Sequence, residues 1–453
     1  MMQRRQRAFI SYGVFLMRWH IFNRLLHIKQ KRMRNREDKG LLRLLTLKDA
    51  VGVGLGAIIG AGIFVVTGIA AGVSGPAFVV GLLVAGIIAS FNALSSAQLA
   101  AIYPHSGGTY EYGYILINPA FGFSAGWMFL ISKLSAAGVV AIGFGSYFYQ
   151  LVPIASPLTF SVSAVILLTA ANYFGIKKAG ILNLVIVAIT LLSLLYLVFS
   201  GIPEVNTANF KPFAPFGISG IAEAAALLFF AFTGYARIAT LAEEVAEPKK
   251  TIPKAIIITI VTAILLYAAI SVVAIGVIGA ESMANSKSPL QLVANALSTP
   301  AISTVITIGA STAMLGVLLS QILGVSRMML AMGRRKDLPP IFQTIHKQFR
   351  VPHIGILITG AIILLLTVVG TFEFIVRSAT FTILLYYSIT NIAALRQPKK
   401  ERMYGRVVPV LGLIGCLVMS VSLPLNVIIS GIGLLIIGFV LRFLFHRIYD
   451  KPE

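Results

Sequence analysis

Two stretches interrupt the apolar runs that contain them. They are Gly56-Ala-Ile-Ile-Gly-Ala-Gly-Ile-Phe64 and Phe229-Phe-Ala-Phe-Thr-Gly-Tyr-Ala-Arg237. Glycine inside a helix costs about 1 kcal/mol relative to alanine. In lipid, unwound backbone is tolerated only where protein or water meets its polar groups. A break at Ile59-Gly60-Ala61-Gly62 frees N–H groups at the start of the second half-helix, where the dipole favours a carboxylate. It also frees carbonyls at the end of the first half-helix, and these attract an ammonium. A second break at Phe232-Thr233-Gly234 offers the same kinds of group. The pair suits a zwitterion. Glycine also serves close helix packing. That reading is preferred for Gly52, Gly54 and Gly56, and the site reading for Gly60 and Gly62.

Two cations lie at membrane depth, where an ionisable residue is a functional candidate by default. Lys133 follows Trp127 by six positions and precedes Tyr147 by fourteen, so it is deep rather than at an end. It is read either as an internal cation, titratable or fixed, or as a structural partner of helix carbonyls. Arg237 contacts a substrate side chain or pairs with Glu243, although a spacing of six misses the favourable i,i+3 and i,i+4 positions. With no acidic residue at pocket depth, a neutral or acidic amino acid is physically easier to bind than arginine or lysine.

Enzyme chemistry finds little support. The histidines (His20, His27, His105, His346, His353 and His446) lie in tails, loops or span ends, so no catalytic pair is evident. Cys416 is the only cysteine, which excludes an internal disulfide and a cysteine metal cluster. It reads as a small buried hydrophobe. No GxxxxGK[ST] phosphate loop occurs. A cofactor is not expected; a coupling ion, proton or sodium, is the possible exception. A channel needs a continuous polar stripe, and here polar residues cluster at the breaks.

The elements that position these residues are membrane helices. The chain has 453 residues, 57% hydrophobic and 11% charged, against roughly 25% charged in soluble domains. Apolar runs predict twelve spans: 51–74, 76–102, 120–147, 158–174, 180–201, 218–244, 254–279, 301–332, 353–370, 372–395, 407–422 and 424–446. The net charge of +22 does not indicate nucleic acid. Lys and Arg gather in alternate inter-span segments, including Lys177, Lys178, Arg334, Arg335 and Arg406, which puts both termini in the cytoplasm. Residues 1–45 form a basic cytoplasmic tail. It is read either as an amphipathic segment on the anionic leaflet or, up to residue 32, as sequence upstream of a true start at Met33.

Breaks in spans 1 and 6, five spans apart, point to an inverted-repeat transporter with its site near the midplane. The predicted organisation is a first repeat over 46–201, a second over 202–396, and spans 11 and 12 with the C-terminus over 397–453. The fold class is all-α, polytopic, with twelve transmembrane helices in a five-plus-five inverted repeat.

From about residue 44 to 445 the chain resembles the amino acid–polyamine–organocation superfamily of permeases, in the branch related to cationic amino acid transporters. The carriers are Gly56–Phe64, Tyr103-Pro-His-Ser-Gly-Gly-Thr-Tyr110, Phe229–Tyr235, Ala242–Ala255 and Ser326–Pro340. The resemblance implies a leucine-transporter-like fold and transport of amino acids by alternating access across the plasma membrane. An exchanger, sensor or channel on the same scaffold is the alternative. It implies that amides near Ala61 and Gly62 bind the α-carboxylate. Carbonyls of Ile58, Phe230 and Thr233 would bind the α-ammonium, with Phe230 as a gate and Tyr103–Tyr110 as a re-entrant loop. Glu243 and Glu244 would cap span 6 or take part in gating. Thr190 stands where some proton-coupled relatives carry a lysine. A sodium site would use Ser311 and Thr312, with Ser320 as fallback.

Overall fold

Helix starts follow local capping. Thr46 and Asp49 form a reciprocal box, with Thr46 N–H donating to Asp49 at 2.9 Å. Asn118 and Ser156 accept from Phe121 N–H and Thr159 N–H, each ahead of a proline at the first helical position.

A computed structural model describes residues 45–103, 107–175, 179–240 and 245–449. The basic tail, residues 104–106, Lys177, Lys178, Glu243 and Glu244 lie outside the described residues. In chain order the helices are α1 Leu47–Ile58, α2 Thr67–Ser74, α3 Phe78–Ile102, α4 Thr109–Leu116, α5 Pro119–Leu151 and α6 Pro157–Phe174. There follow α7 Ala179–Gly201, α8 Gly217–Phe232, α9 Ala236–Thr240, α10 Pro248–Ala284 and α11 Pro289–Ala296. The last are α12 Ile302–Arg334, α13 His353–Val369, α14 Phe372–Arg396, α15 Val407–Val421 and α16 Leu425–Tyr449. Among the described residues the only β pairing is an isolated bridge between Leu45 and Val245.

Nine helical stretches among the described residues are long and apolar enough to cross a membrane, and α13 and α15 are shorter apolar helices. One of the nine, Leu47–Ile102, is not continuous. It breaks after α1, and a 3-10 turn at Gly75–Ala77 joins α2 to α3, with Gly75 at φ +64° where only glycine sits freely. The protein is an all-helical, multi-pass membrane protein. Burial sorts the helices: 89% of the most apolar window of α5 is inside the bundle and 83% of that of α14, but only 17% for α16. The outer face of α16 presents Leu425, Ile429, Ile436 and Phe443, a surface suited to lipid.

Polar groups tie distant helices together inside this core. Asn391 on α14 donates to Asn92 on α3 at 2.5 Å, and the Cys416 thiol on α15 donates to the same Asn92 oxygen at 3.3 Å. Cys416 is therefore buried, as its apolar setting predicts, and is also a hydrogen-bond donor.

A second network centres on Asp337, just past the end of α12. The fully buried Asp337 carboxylate accepts from Tyr110 at 2.8 Å, Tyr114 at 2.6 Å and Arg442 Nε at 2.8 Å. Arg335 pairs with Glu111 and stacks over the Tyr114 ring. α4 is thereby clasped to the end of α12 and to α16. Burial first, then the Asp337 carboxylate, push the Tyr110 phenol up; burial and the same hydrogen bond do so for Tyr114. A raised phenol keeps its proton, so the stabilisation is complete below an ordinary tyrosine value of about 10 and is lost only above it.

Candidate substrate site

The first break is an abrupt end to the α1 ladder. Ile59 N–H still donates to Leu55 O at 2.9 Å, but Ile59 itself is extended at φ −79°, ψ 103°. Gly60 O then accepts from both Ile63 and Phe64 N–H, and Gly62–Val66 continue as a π-helical turn into α2. The first N–H groups of the new segment lack intrahelical partners by geometry. Among the described residues, none accepts from the Gly60 N–H.

The second break is gentler than the sequence suggests. α8 ends at Phe232 and narrows to one 3-10 turn, Thr233–Tyr235, before α9. Thr233 stays helical at φ −68°, ψ −4°, and its N–H still donates to Phe230 O. Tightening to i,i+3 bonding keeps amides engaged that full unwinding would release.

The two breaks touch. A Cβ on Gly62 would stand 2.4 Å from Ala231 Cα, and a Cβ on Gly234 would stand 2.2 Å from Ala57 O. Each interrupted segment therefore lies with its glycine directly against the backbone of the other. Gly60 faces the Val317 side chain of α12, at 2.9 Å from its would-be Cβ. Gly60, Gly62 and Gly234 therefore serve close packing at the breaks.

Hydroxyls reach the carbonyls that the breaks expose. Tyr267 on α10 donates to Ile58 O at 3.0 Å, and Tyr387 on α14 donates to Thr233 O at 3.1 Å. The Thr233 hydroxyl donates to Phe230 O at 3.0 Å, and Tyr147 on α5 donates to Phe64 O at 2.6 Å. A carbonyl oxygen has two lone pairs, so the Ile58 and Thr233 carbonyls keep capacity for an ammonium, whereas Phe230 O already accepts from both the N–H and the hydroxyl of Thr233. Phe230 is half-buried, whereas Phe232 is fully buried against Tyr267, with ring centroids 5.4 Å apart.

A cavity adjoins the breaks on the α1 and α9 side. Its walls include Ala57, Thr233 and Gly234 at the breaks, Phe129 and Lys133 from α5, and Ser320 and Gln321 from α12. Arg237 also lines it, with its guanidinium lying along Gly324. The space open to water-sized spheres is about 40 Å³, roughly three waters. Thr190 lies elsewhere, where α7 packs on α12; its hydroxyl donates to Ile186 O at 2.8 Å and lies 3.4 Å from Gly309 O. Thr312 donates to its own helix carbonyls Ile308 and Gly309. The neighbouring Ser311 hydroxyl is buried and has no hydrogen-bond partner among the described residues.

A family model described as amino acid permease matches residues 45–447. The chain belongs to the amino acid permease family. The permease is 39% identical over 400 residues to an uncharacterized transporter of Mycobacterium tuberculosis, covering 88% of this chain and 90% of the relative. It is 29% identical to the branched-chain amino acid permease of Bacillus subtilis and 30% identical to the methylthioribose transporter of that organism. Each match covers 91% of this chain and 95% of the relative. The relatives are transporters, and the family is one of permeases rather than enzymes.

Tyr147, Tyr267 and Tyr387 of the permease escape a reading of the sequence. A tyrosine in an apolar run reads as core, and nothing local tells where its hydroxyl points. Tyr267→Phe leaves the Ile58 carbonyl without this donor, a loss of about 1–3 kcal/mol for a buried group. Thermal unfolding in detergent is expected to begin at a lower temperature in this variant. An unchanged transition would show that the bond contributes nothing to holding the break.

Proposed function

We propose that the permease is a secondary active transporter that moves amino acids by alternating access. The α-carboxylate binds at the Gly60, Ala61 and Gly62 amides, and the α-ammonium at the carbonyls of Ile58, Phe230 and Thr233. Phe230 is the aromatic gate beside them. The observation that carries this reading is the mutual contact of the two interrupted helices, with Gly62 on Ala231 and Gly234 on Ala57. It brings freed amides and exposed carbonyls within reach of one small zwitterion. The branched-chain permease among the relatives supports the substrate class.

The same reading takes the helices as twelve spans, with an inverted repeat over spans 1–5 and 6–10. It reads the excess of Lys and Arg on one side as cytoplasmic termini and takes the membrane to be the plasma membrane. Sodium coupling would use the unpartnered Ser311 hydroxyl, since Thr312 is committed to its own helix. The test is uptake of labelled amino acids into liposomes, with sodium and proton gradients imposed separately. Accumulation driven by either gradient supports coupled transport, and counterflow without either marks an exchanger. Absence of both for every amino acid would overturn the reading.

A further inference from the structure

Lys133 is 8% exposed, and its side chain faces the cavity beside the breaks. Among the described residues no acceptor takes a hydrogen bond from its ammonium, which lies over the Phe129 ring, 5.9 Å from Nζ to centroid. An ammonium withdrawn from water and left without an acceptor is costly. No described residue lining the cavity is acidic. Arg237 also lines the cavity and adds a second positive charge, although it already has a contact of its own. Of the remaining polar side chains there, Ser320 and Gln321 can each donate a hydrogen bond, while the Thr233 hydroxyl is committed to Phe230 O. The cavity holds roughly three waters, and a carboxylate has three heavy atoms.

We propose that this cavity receives the side-chain carboxylate of an acidic amino acid, with Lys133 as its counter-ion. The inference rests on amino acid transport through the paired breaks and adds the substrate's side chain. With the α-groups at the breaks, the side chain extends past Ala57 and Gly234 toward Lys133. The carboxylate supplies the acceptor that the ammonium lacks. A branched aliphatic side chain in the same place would bury the ammonium without compensation. A cationic one would meet like charge.

The test is counterflow in liposomes with labelled glutamate, aspartate, leucine and lysine, each competed by the others and by inorganic sulfate. The expected result is exchange of glutamate or aspartate, with leucine and lysine at least tenfold poorer as competitors. Lys133→Met is expected to lower acidic uptake at least tenfold, while Lys133→Arg keeps most of it. Both variants are checked for cooperative unfolding, and the wild-type panel decides the matter even if Lys133→Met fails to fold. Transport of leucine or lysine without transport or competition by acidic amino acids would overturn this inference and leave amino acid transport standing. Inhibition by sulfate equal to that by glutamate would reduce the cavity to a general anion site and also overturn it. Transport of none of the four by well-folded protein removes the parent reading and this one together.

Discussion

Gly234→Ala is expected to abolish amino acid uptake. The added Cβ would stand 2.2 Å from Ala57 O, 2.3 Å from Ala57 C and 2.4 Å from Ile58 N. All three are backbone atoms of the last turn of α1, so no rotamer change relieves the clash. Overpacking of this kind costs about 1–3 kcal/mol where a core can adjust, and more where it cannot. Relief requires the second break to withdraw from the first, which separates the carbonyls of Ile58 and Thr233 and draws on Tyr267 and Tyr387. Loss of the shared geometry should lower uptake by about two orders of magnitude, since small misplacements at a positioned site have effects of that size. Gly316→Ala on α12 is the matched control. There the nearest atom is Ile186 Cγ2 at 3.3 Å, part of a side chain that can turn. Uptake and detergent-solubilised thermal unfolding measured on both variants decide the matter. Equal activity in the two would show that direct contact of the breaks is dispensable.

Asp337→Asn is expected to be the most destabilising single change at the loop end of the bundle. Its carboxylate is fully buried and joins Arg442 of α16 to Tyr110 and Tyr114 of α4. Removing one member of a buried ion pair leaves the other charge uncompensated, at roughly 3–5 kcal/mol. Asparagine keeps the shape and one acceptor, so the loss reports charge rather than volume. The exposed pair of Glu247 and Lys250, 3.2 Å apart, offers a comparison, because surface pairs contribute roughly 0–1 kcal/mol. The apparent melting temperature should fall sharply in Asp337→Asn and barely in Glu247→Gln. Partial recovery in Asp337→Asn/Arg442→Gln would assign the loss to the stranded guanidinium. A single Asp337→Asn variant as stable as the parent would dismiss the clasp.

By itself the sequence determined the class of protein and where along the chain its helices fail. Long apolar runs must be satisfied by their own backbone hydrogen bonds in lipid, so helices were the only reading, and glycines in mid-run marked the interruption at Ile59-Gly60. The depth of Lys133 was legible for the same reason, since distance from the ends of a span is countable. Tertiary structure alone decided what the breaks face. Gly234 meets Ala57, Tyr267 reaches back over two hundred positions to Ile58, and Asp337 gathers Tyr110 and Tyr114 from one distant helix and Arg442 from another. It also decided that the second interruption is a 3-10 tightening, with its amides still bonded. Periodicity and composition describe one helix at a time. Which hydroxyl completes which carbonyl depends on how helices are rotated against one another, and that rotation is fixed by packing across the whole bundle.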